Sequence, residues 1–399
     1  MSPGAGTADG PAAGSLPEHL RRVLVVEAGP IAPMENAGDR AVADLLDSLV
    51  AIGATVHFHG LGSRGPDDGE LLDSIRRRSP MITVTNEDPS IDDLLSDGGF
   101  DVVISSRPGP SLAVSSALRD HPGPLRLHWG HDIHSLRLSA QSEVLGTVDD
   151  HRTRLMALAE RTNWESFDRS VYPALSEAEH VRAMLGDDRG VAFPYFRLTA
   201  DDLVEPVPPQ AGRSGLLMVG LGAHAPNADA AAWMVESILP LIEAQGGPAE
   251  LTIVGRWEPE QRAVLERRGV VFTGPISDAE LRSLHLRHLC LVAPLRFGGG
   301  TRRKLVAAMG FGLPIVTTPE GLRGLLVHDA IDGSDGTSAG GDAGTFAAAV
   351  CRLAQDPSLW ETQAIAGRLA AERAYGATVY DSSLIELFVR SEELRRERR

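Results

Sequence analysis

Twice along this chain, short apolar runs closed by glycine or proline alternate with stretches whose apolar residues recur at helical spacing. The first run, Arg22-Val-Leu-Val-Val-Glu27, is continuously apolar, as strands buried on both faces of a parallel sheet are. Val42, Leu45, Leu46 and Leu49 then share one helical face, and Gly53 supplies the stop. Thr55–Phe58, Met81–Thr85, Phe100–Ser106 and Pro124–Trp129 read as further short strands. Thr199–Ser214 interrupts with proline, glycine and charge, and then the alternation restarts. Gly215–Val219, Leu251–Val254, Val270–Thr273, Leu289–Ala293 and Ile315–Thr318 are the strands of the second series. Between them, Pro226 opens a helix that runs to about Glu243 and Ser277-Asp-Ala-Glu280 forms a capping box. Gly312 closes the helix Thr301–Phe311, and the Gly/Asp/Ser-rich stretch Asp332–Gly344 reads as a mobile surface loop.

Strand–helix alternation with right-handed crossovers predicts an α/β chain of two Rossmann-like parallel-sheet domains facing each other across a cleft. The length of 399 residues agrees, because one hydrophobic core rarely serves so many. The expected boundaries are a disordered tail over 1–20, a first domain over 21–200 and a linker over 201–214. A second domain covers 215–377, and a charged helix occupies 378–399.

A formal net charge of −16 argues against nucleic acid as the main partner, since neutralising phosphates needs clustered Lys and Arg. No run of about 18 apolar residues occurs, so integral membrane association is not expected. The first 20 residues lack the basic start and apolar core of a signal peptide, and Cys290 and Cys351 each sit inside an apolar run. Two buried free thiols in a reducing cytoplasm are the economical expectation.

The sharpest local chemistry lies in Ala293-Pro-Leu-Arg-Phe-Gly-Gly-Gly-Thr-Arg-Arg-Lys304. A strand ends, Gly298, Gly299 and Gly300 let backbone approach a ligand closely, and Thr301 leads into a helix. That helix opens with Arg302, Arg303 and Lys304, so exposed N–H groups and three cations would cradle a diphosphate. A flexible loop before a surface helix with solvated cations explains the same residues. No Gly-Lys-Ser/Thr follows, so this is not a Walker loop. Gly220 and Gly222 follow a strand and serve equally as a tight turn or as a donor contact. Arg256, after the strand Leu251–Val254, suits a phosphate contact or an ordinary surface loop.

His128-Trp-Gly-His131-Asp132-Ile-His134-Ser-Leu-Arg137 gathers three histidines, an aspartate and an arginine at the end of a strand. The spacing fits no zinc template, and polar sugar recognition suits these residues better than a metal. A hydrogen-bonded loop with one buried histidine is the plainer alternative. No Asp-x-Asp occurs anywhere, so neither a metal nor a resident cofactor is expected. Cations and a helix dipole would neutralise a leaving phosphate.

With these motifs in place, the chain resembles the GT-B-fold glycosyltransferases, and among them glycosyltransferase family 4, or group 1. The resemblance covers most of the chain after residue 21 and is strongest from Leu217 to Leu325. It is carried by LLMVGLGAHAPNADAAAWMVESILP, LTIVGRW, GVVFTGPISDAELRSL and APLRFGGGTRRKLVAAMGFGLPIVTTPEGLRGL. In the first half GDRAVADLLDSLVAIGATV, HDIHSLR and YPALSEAEHV, which holds Ser176 and Glu177, are similar in kind.

The resemblance implies retaining transfer of a sugar from a nucleoside diphosphate sugar, with the donor on the second domain and the acceptor on the first. It assigns catalytic contacts to His131, Asp132, Lys304 and Arg256. Donor contacts fall to Gly38, Gly220, Gly222, Gly298–Gly300, Thr301, Arg302 and Arg303, and acceptor contacts to His128, His134 and Arg137. The acceptor is expected to be a soluble small molecule such as a natural-product intermediate. Two family glutamates are missing: Ala307 stands where the ribose-binding carboxylate precedes Ala308-Met309, and Leu295 and Arg296 precede Phe297-Gly298. Their loss keeps a second expectation open, a catalytically inactive GT-B protein that binds nucleotide or assists another enzyme. Nucleotide base, sugar and acceptor are not legible.

Overall fold

The computed structural model describes residues 14–33, 36–146, 150–266, 270–300, 302–326 and 337–398. The first sheet comprises β1 (Arg22–Glu27), β2 (Thr55–Gly60), β3 (Ile82–Asn86), β4 (Val102–Ser106), β5 (Leu125–Trp129), β6 (Arg169–Tyr172) and β7 (Gly190–Ala192). Its hydrogen-bonded order is β3-β2-β1-β4-β5-β6-β7. The second comprises β8 (Leu216–Val219), β9 (Leu251–Val254), β10 (Val270–Gly274), β11 (Cys290–Ala293), β12 (Ile315–Thr317) and β13 (Thr337–Ala339), in the order β10-β9-β8-β11-β12-β13. The predicted α/β class with two Rossmann-like parallel sheets is therefore what forms.

By packing, the chain divides into two units. The first comprises Met1–Trp129, Ser166–Arg169 and Ala377–Arg399, and the second Gly130–Glu165 and Ser170–Gly376. These units do not follow the boundary read at 201–214: residues 130–165 and 170–200 group with the second series of strands, and the last helix with the first.

In the first unit, β1 pairs in parallel with β2 and β4, so that Val23 lies opposite both Val56 and Val102. The helix Ala37–Ala51 begins where Asn36 accepts the Asp39 N–H, and it buries Val42, Leu45, Leu46 and Leu49. On the other face Leu24, Val26, Val103, Val114, Leu118 and Phe167 form one cluster. The helix Ala377–Glu397 closes this unit against Ala37–Ala51 and β5, with Ser48 donating to Asp381 at 2.6 Å. The expected disordered tail needs correction over its last residues. Leu16 and Leu20 are buried, and the Leu16 N–H donates to Ile52 O at 2.9 Å.

In the second unit β8 pairs in parallel with β9 and β11. The helix expected from Pro226 runs as Ala225–Trp233, a wide-turned segment Met234–Ile238, and Leu239–Ala244. Pro240 explains the widening, because it has no N–H to bond Glu236 and its ring crowds that carbonyl. The Ser277–Glu280 capping box forms as expected, and Cys290 and Cys351 are buried free thiols. The stretch expected to be a mobile loop instead holds β13, paired with β12, and the start of the helix Ala343–Gln355. Residues 332–336 of that stretch lie outside the described residues, and β6 and β7 were not foreseen. Among the described residues no helix is long and apolar enough to cross a membrane.

In each sheet the strand order reverses beside the first strand, between β1 and β4 and between β8 and β11. Loops leaving the carboxyl ends of the strands diverge at such a point, which makes room for a ligand.

The last helix is integral to the first unit. Phe388→Ala, at a fully buried position, is expected to remove about 3–5 kcal/mol. Hydrogen exchange would read this as faster exchange of β1 and β5 amides with β8–β12 unchanged. Equal loosening of both sets would contradict that assignment.

Candidate functional site

The switch point of the second sheet brings together the loops after β8 and β11. The first turns sharply at Gly220-Leu-Gly222: Gly220 N–H donates to Val254 O, and Trp257 Nε1 donates to Gly220 O, both at 2.9 Å. A Cβ on Gly220 would lie 2.6 Å from Asn227 Cγ, and one on Gly222 would lie 2.5 Å from Gln261 Oε1. The Trp257 ring thus leaves Gly222 no room for a side chain, whereas Gly220 faces the Asn227 amide. Arg256 adjoins this turn, but it contributes its carbonyl to the Gly222 N–H at 2.9 Å while its side chain is exposed.

After β11 the chain passes Arg296, which holds Asp229 through Nε at 2.9 Å, and enters the three glycines. Gly300 has φ +63°, a conformation that side chains resist. A Cβ there would lie 2.4 Å from His131 O, and one on Gly299 would lie 2.6 Å from Asp132 Oδ2. The glycine loop is thus pressed against the loop after β5, within the same packing unit. Thr301 lies outside the described residues.

The three cations that follow have different fates. Arg302 is buried and donates to Gly300 O, to Arg323 O at 3.1 Å and to Glu320 Oε1 at 3.2 Å. Its expected donor role is corrected accordingly: the guanidinium straps the loop from beneath. Arg303 lies over the Phe196 ring, 5.3 Å from its centroid. Lys304 points to the switch point, where Nζ donates to Asn227 Oδ1 at 2.6 Å. Burial, and then the nearby Arg302 charge, push the Lys304 ammonium down to about 7.

Beside the glycines, Asp132 accepts from Arg137 Nε at 2.6 Å and pairs with His134 Nε2 at 2.8 Å. Burial alone would raise its pKa, but His134 and Arg137 outweigh it and hold the carboxyl well below the usual range. His131 meets the Tyr195 ring edge-on at 5.6 Å. His128 is different: it is fully buried in the first unit, with Nδ1 2.7 Å from Ser111 Oγ. That enclosure corrects the expected acceptor contact. Gly38 also belongs to the first unit, in the first turn of Ala37–Ala51. The adjacent Asp39 gathers Arg64 and Arg107, the latter at 2.6 Å.

Asp132, His134, Arg137, the glycines and Lys304 are thus assembled in one place, and four residues join them that the motifs did not single out for a role. His224, at the start of the helix Ala225–Trp233, is pushed down to about 4 by burial and by Arg137 and Lys304. Asn227 orients Lys304. Glu160 accepts the His134 N–H at 2.6 Å and the Ser135 Oγ–H at 2.6 Å, fixing the helix that carries Arg137. Glu177 lies beneath both loops, accepting from Gly300 N–H at 3.0 Å and Ile133 N–H at 3.3 Å. Among the described residues no three His, Cys, Asp or Glu side chains converge in a metal-holding arrangement.

Residues 213–356 match the family model described as Glycosyl transferases group 1. No curated protein matches the chain. Among solved structures, Anabaena HepE in complex with UDP superposes with TM-score 0.68 at 13% identity, covering 93% of this chain and 100% of that one. Sucrose-phosphate synthase from Thermosynechococcus elongatus gives 0.66 at 16%, covering 93% and 98%. AviGT4, a glycosyltransferase involved in avilamycin A biosynthesis, gives 0.56 at 19%, covering 92% and 97%. At such identities these likenesses speak for the fold. Its sheets and its switch point give this chain the GT-B fold of those structures, and residues 213–356 are similar to the group 1 glycosyltransferases.

Proposed function

We propose that the chain is a retaining glycosyltransferase that moves a sugar from a nucleoside diphosphate sugar to a soluble small-molecule acceptor. The observation that carries this is Lys304, held by Asn227 at the switch point beside the glycine loop. A leaving diphosphate seated there would meet the ammonium and the closely approaching backbone of the glycine loop. That is charge stabilisation by groups already in position. Asp132, ionised and pinned between His134 and Arg137, would then stand beside the transferred sugar as a fixed acceptor of its hydroxyl hydrogen bonds.

Two likenesses guide the choice of ligands. HepE has been solved with UDP and with UDP-glucose, so UDP is the first nucleotide to test. AviGT4 is involved in avilamycin A biosynthesis, which agrees with a natural-product intermediate as acceptor.

A second reading, a non-catalytic GT-B protein, is favoured by Ala307. It offers only a methyl group on the helix Arg303–Gly310, where the resemblance expects a ribose-binding carboxylate. Hydrolysis or transfer of a bound donor separates the two readings.

Calorimetric titration with UDP, GDP, ADP and dTDP is expected to give micromolar binding of one of them. Lys304→Ala should weaken that binding and slow transfer by about 10²-fold, the scale of one preorganised charge contact. Unchanged affinity and rate in that variant would remove Lys304 from the site.

The lowered Lys304 pKa adds a pH signature. Below about 7 the ammonium is already charged in the free protein, whereas above it a bound diphosphate must draw in a proton. Affinity should therefore fall as pH rises from 7 to 8.5, with uptake of up to about one proton per nucleotide. Titrations in buffers of different ionisation enthalpy measure this uptake. An equal uptake in Lys304→Ala would assign the proton elsewhere.

A further inference from the structure

Glu177 lies in the first turn of the helix Leu175–Leu185, where an acidic residue ordinarily faces solvent and complements the helix dipole. Here it is buried, and its bonds go elsewhere. Oε1 accepts the N–H of Gly300, 123 residues away, and the N–H of Ile133, 44 residues away. Oε2 is enclosed without a hydrogen-bond partner. A buried carboxylate beside a second carboxylate, Asp132, is costly unless it is held by bonds of this kind.

We infer that Glu177 is a positioning residue: one carboxylate oxygen ties the glycine loop to the His131–Asp132 loop. It thereby fixes which backbone N–H groups meet the donor and where Asp132 stands.

The geometry supports this directly. The Gly300 N–H is committed to Glu177, so the bridge sets how the glycine loop lies. Gly299 touches Asp132, the neighbour of Ile133. A shift at either end of the Glu177 bridge therefore moves both loops. The part concerning the donor rests on the transferase reading above, whereas the bridge itself does not.

Opposing influences act on this carboxyl. Burial first, and then Asp132, raise the Glu177 carboxyl to about 7, against the lowering effects of the two N–H donors and Arg302. The Tyr172 hydroxyl, whose own ionisation is suppressed by burial, also senses this carboxylate. A carboxyl raised in the folded state contributes stability that is fully present below its unfolded value of 4.5. That contribution is lost as pH rises through about 7. Glu177→Gln, which cannot ionise, should therefore melt above the wild type at pH 8, with the gap closing by pH 5.

The decisive experiment follows amide exchange in the peptides spanning 130–137 and 296–304 in the full chain, without ligand. Glu177→Ala should speed exchange in both by roughly tenfold, the factor expected for one hydrogen bond. Glu177→Asp, one methylene too short to span both N–H groups, should do likewise. Glu177→Gln, which keeps the bridging oxygen, should stay within about threefold of the wild type. Where Glu177→Ala does not fold, the Asp and Gln variants carry the comparison. In transfer assays Glu177→Ala should lose about 10²-fold in kcat/KM, the scale of an ångström-sized misplacement, and Glu177→Gln should recover most of it. Exchange that rises in only one loop, or a Gln variant as loose as the Ala variant, would overturn the assignment. If the wild type binds no nucleotide, the transferase reading fails, yet the exchange result still decides the bridge.

Discussion

The site depends on a close approach that only glycine permits. Gly299 and Gly300 lie against Asp132 and the His131 carbonyl with no room for a Cβ on either. Because the two loops touch, the Arg137 guanidinium held by Asp132 comes within electrostatic reach of the helix that carries Lys304. His224 records this, since its imidazole feels Arg137, Lys304, Asp132 and Arg302 together. Several like charges can crowd here because Asp132 is already committed to Arg137, and Glu320 to Arg302.

The fold was largely legible because its signals are local. Apolar strands and the Ser277–Glu280 box are each written within a dozen residues. The site was legible where it too is local, in the three glycines and in His131-Asp132-Ile-His134. Glu177 was noticed only as part of a family-like stretch, because its role depends on partners 44 and 123 residues away. Arg302 and His128 were misjudged for the same reason: a sequence gives residue type, and burial decides whether a cation or an imidazole faces ligand or interior. No local pattern marks Asn227 as the partner of Lys304.

The first unit uses the equivalent switch point differently. Asp39 is fully buried and is held down to about 2: burial opposes its ionisation, but Arg64, the Ala32 N–H and Arg107 overcome it. Glu27, at the end of β1, is raised by its burial despite Arg107. Arg107 sits at φ +71°, a strained conformation for an arginine, and its guanidinium joins these two carboxylates. The charges at this end of the first sheet are thus largely occupied with one another. At the second switch point, among the described residues, Lys304 bonds a neutral amide.

The helix Ala377–Glu397 supplies buried residues to the first unit, although every residue of the second unit precedes it in the chain. During synthesis, β1 to β5 leave the ribosome long before the side chains that cover them exist. The second unit can assemble around complete elements, but the first must wait with one flank of its core uncovered. For this chain the order of emergence and the order of completion are therefore reversed, and the half made first is the one whose apolar surface needs protection longest.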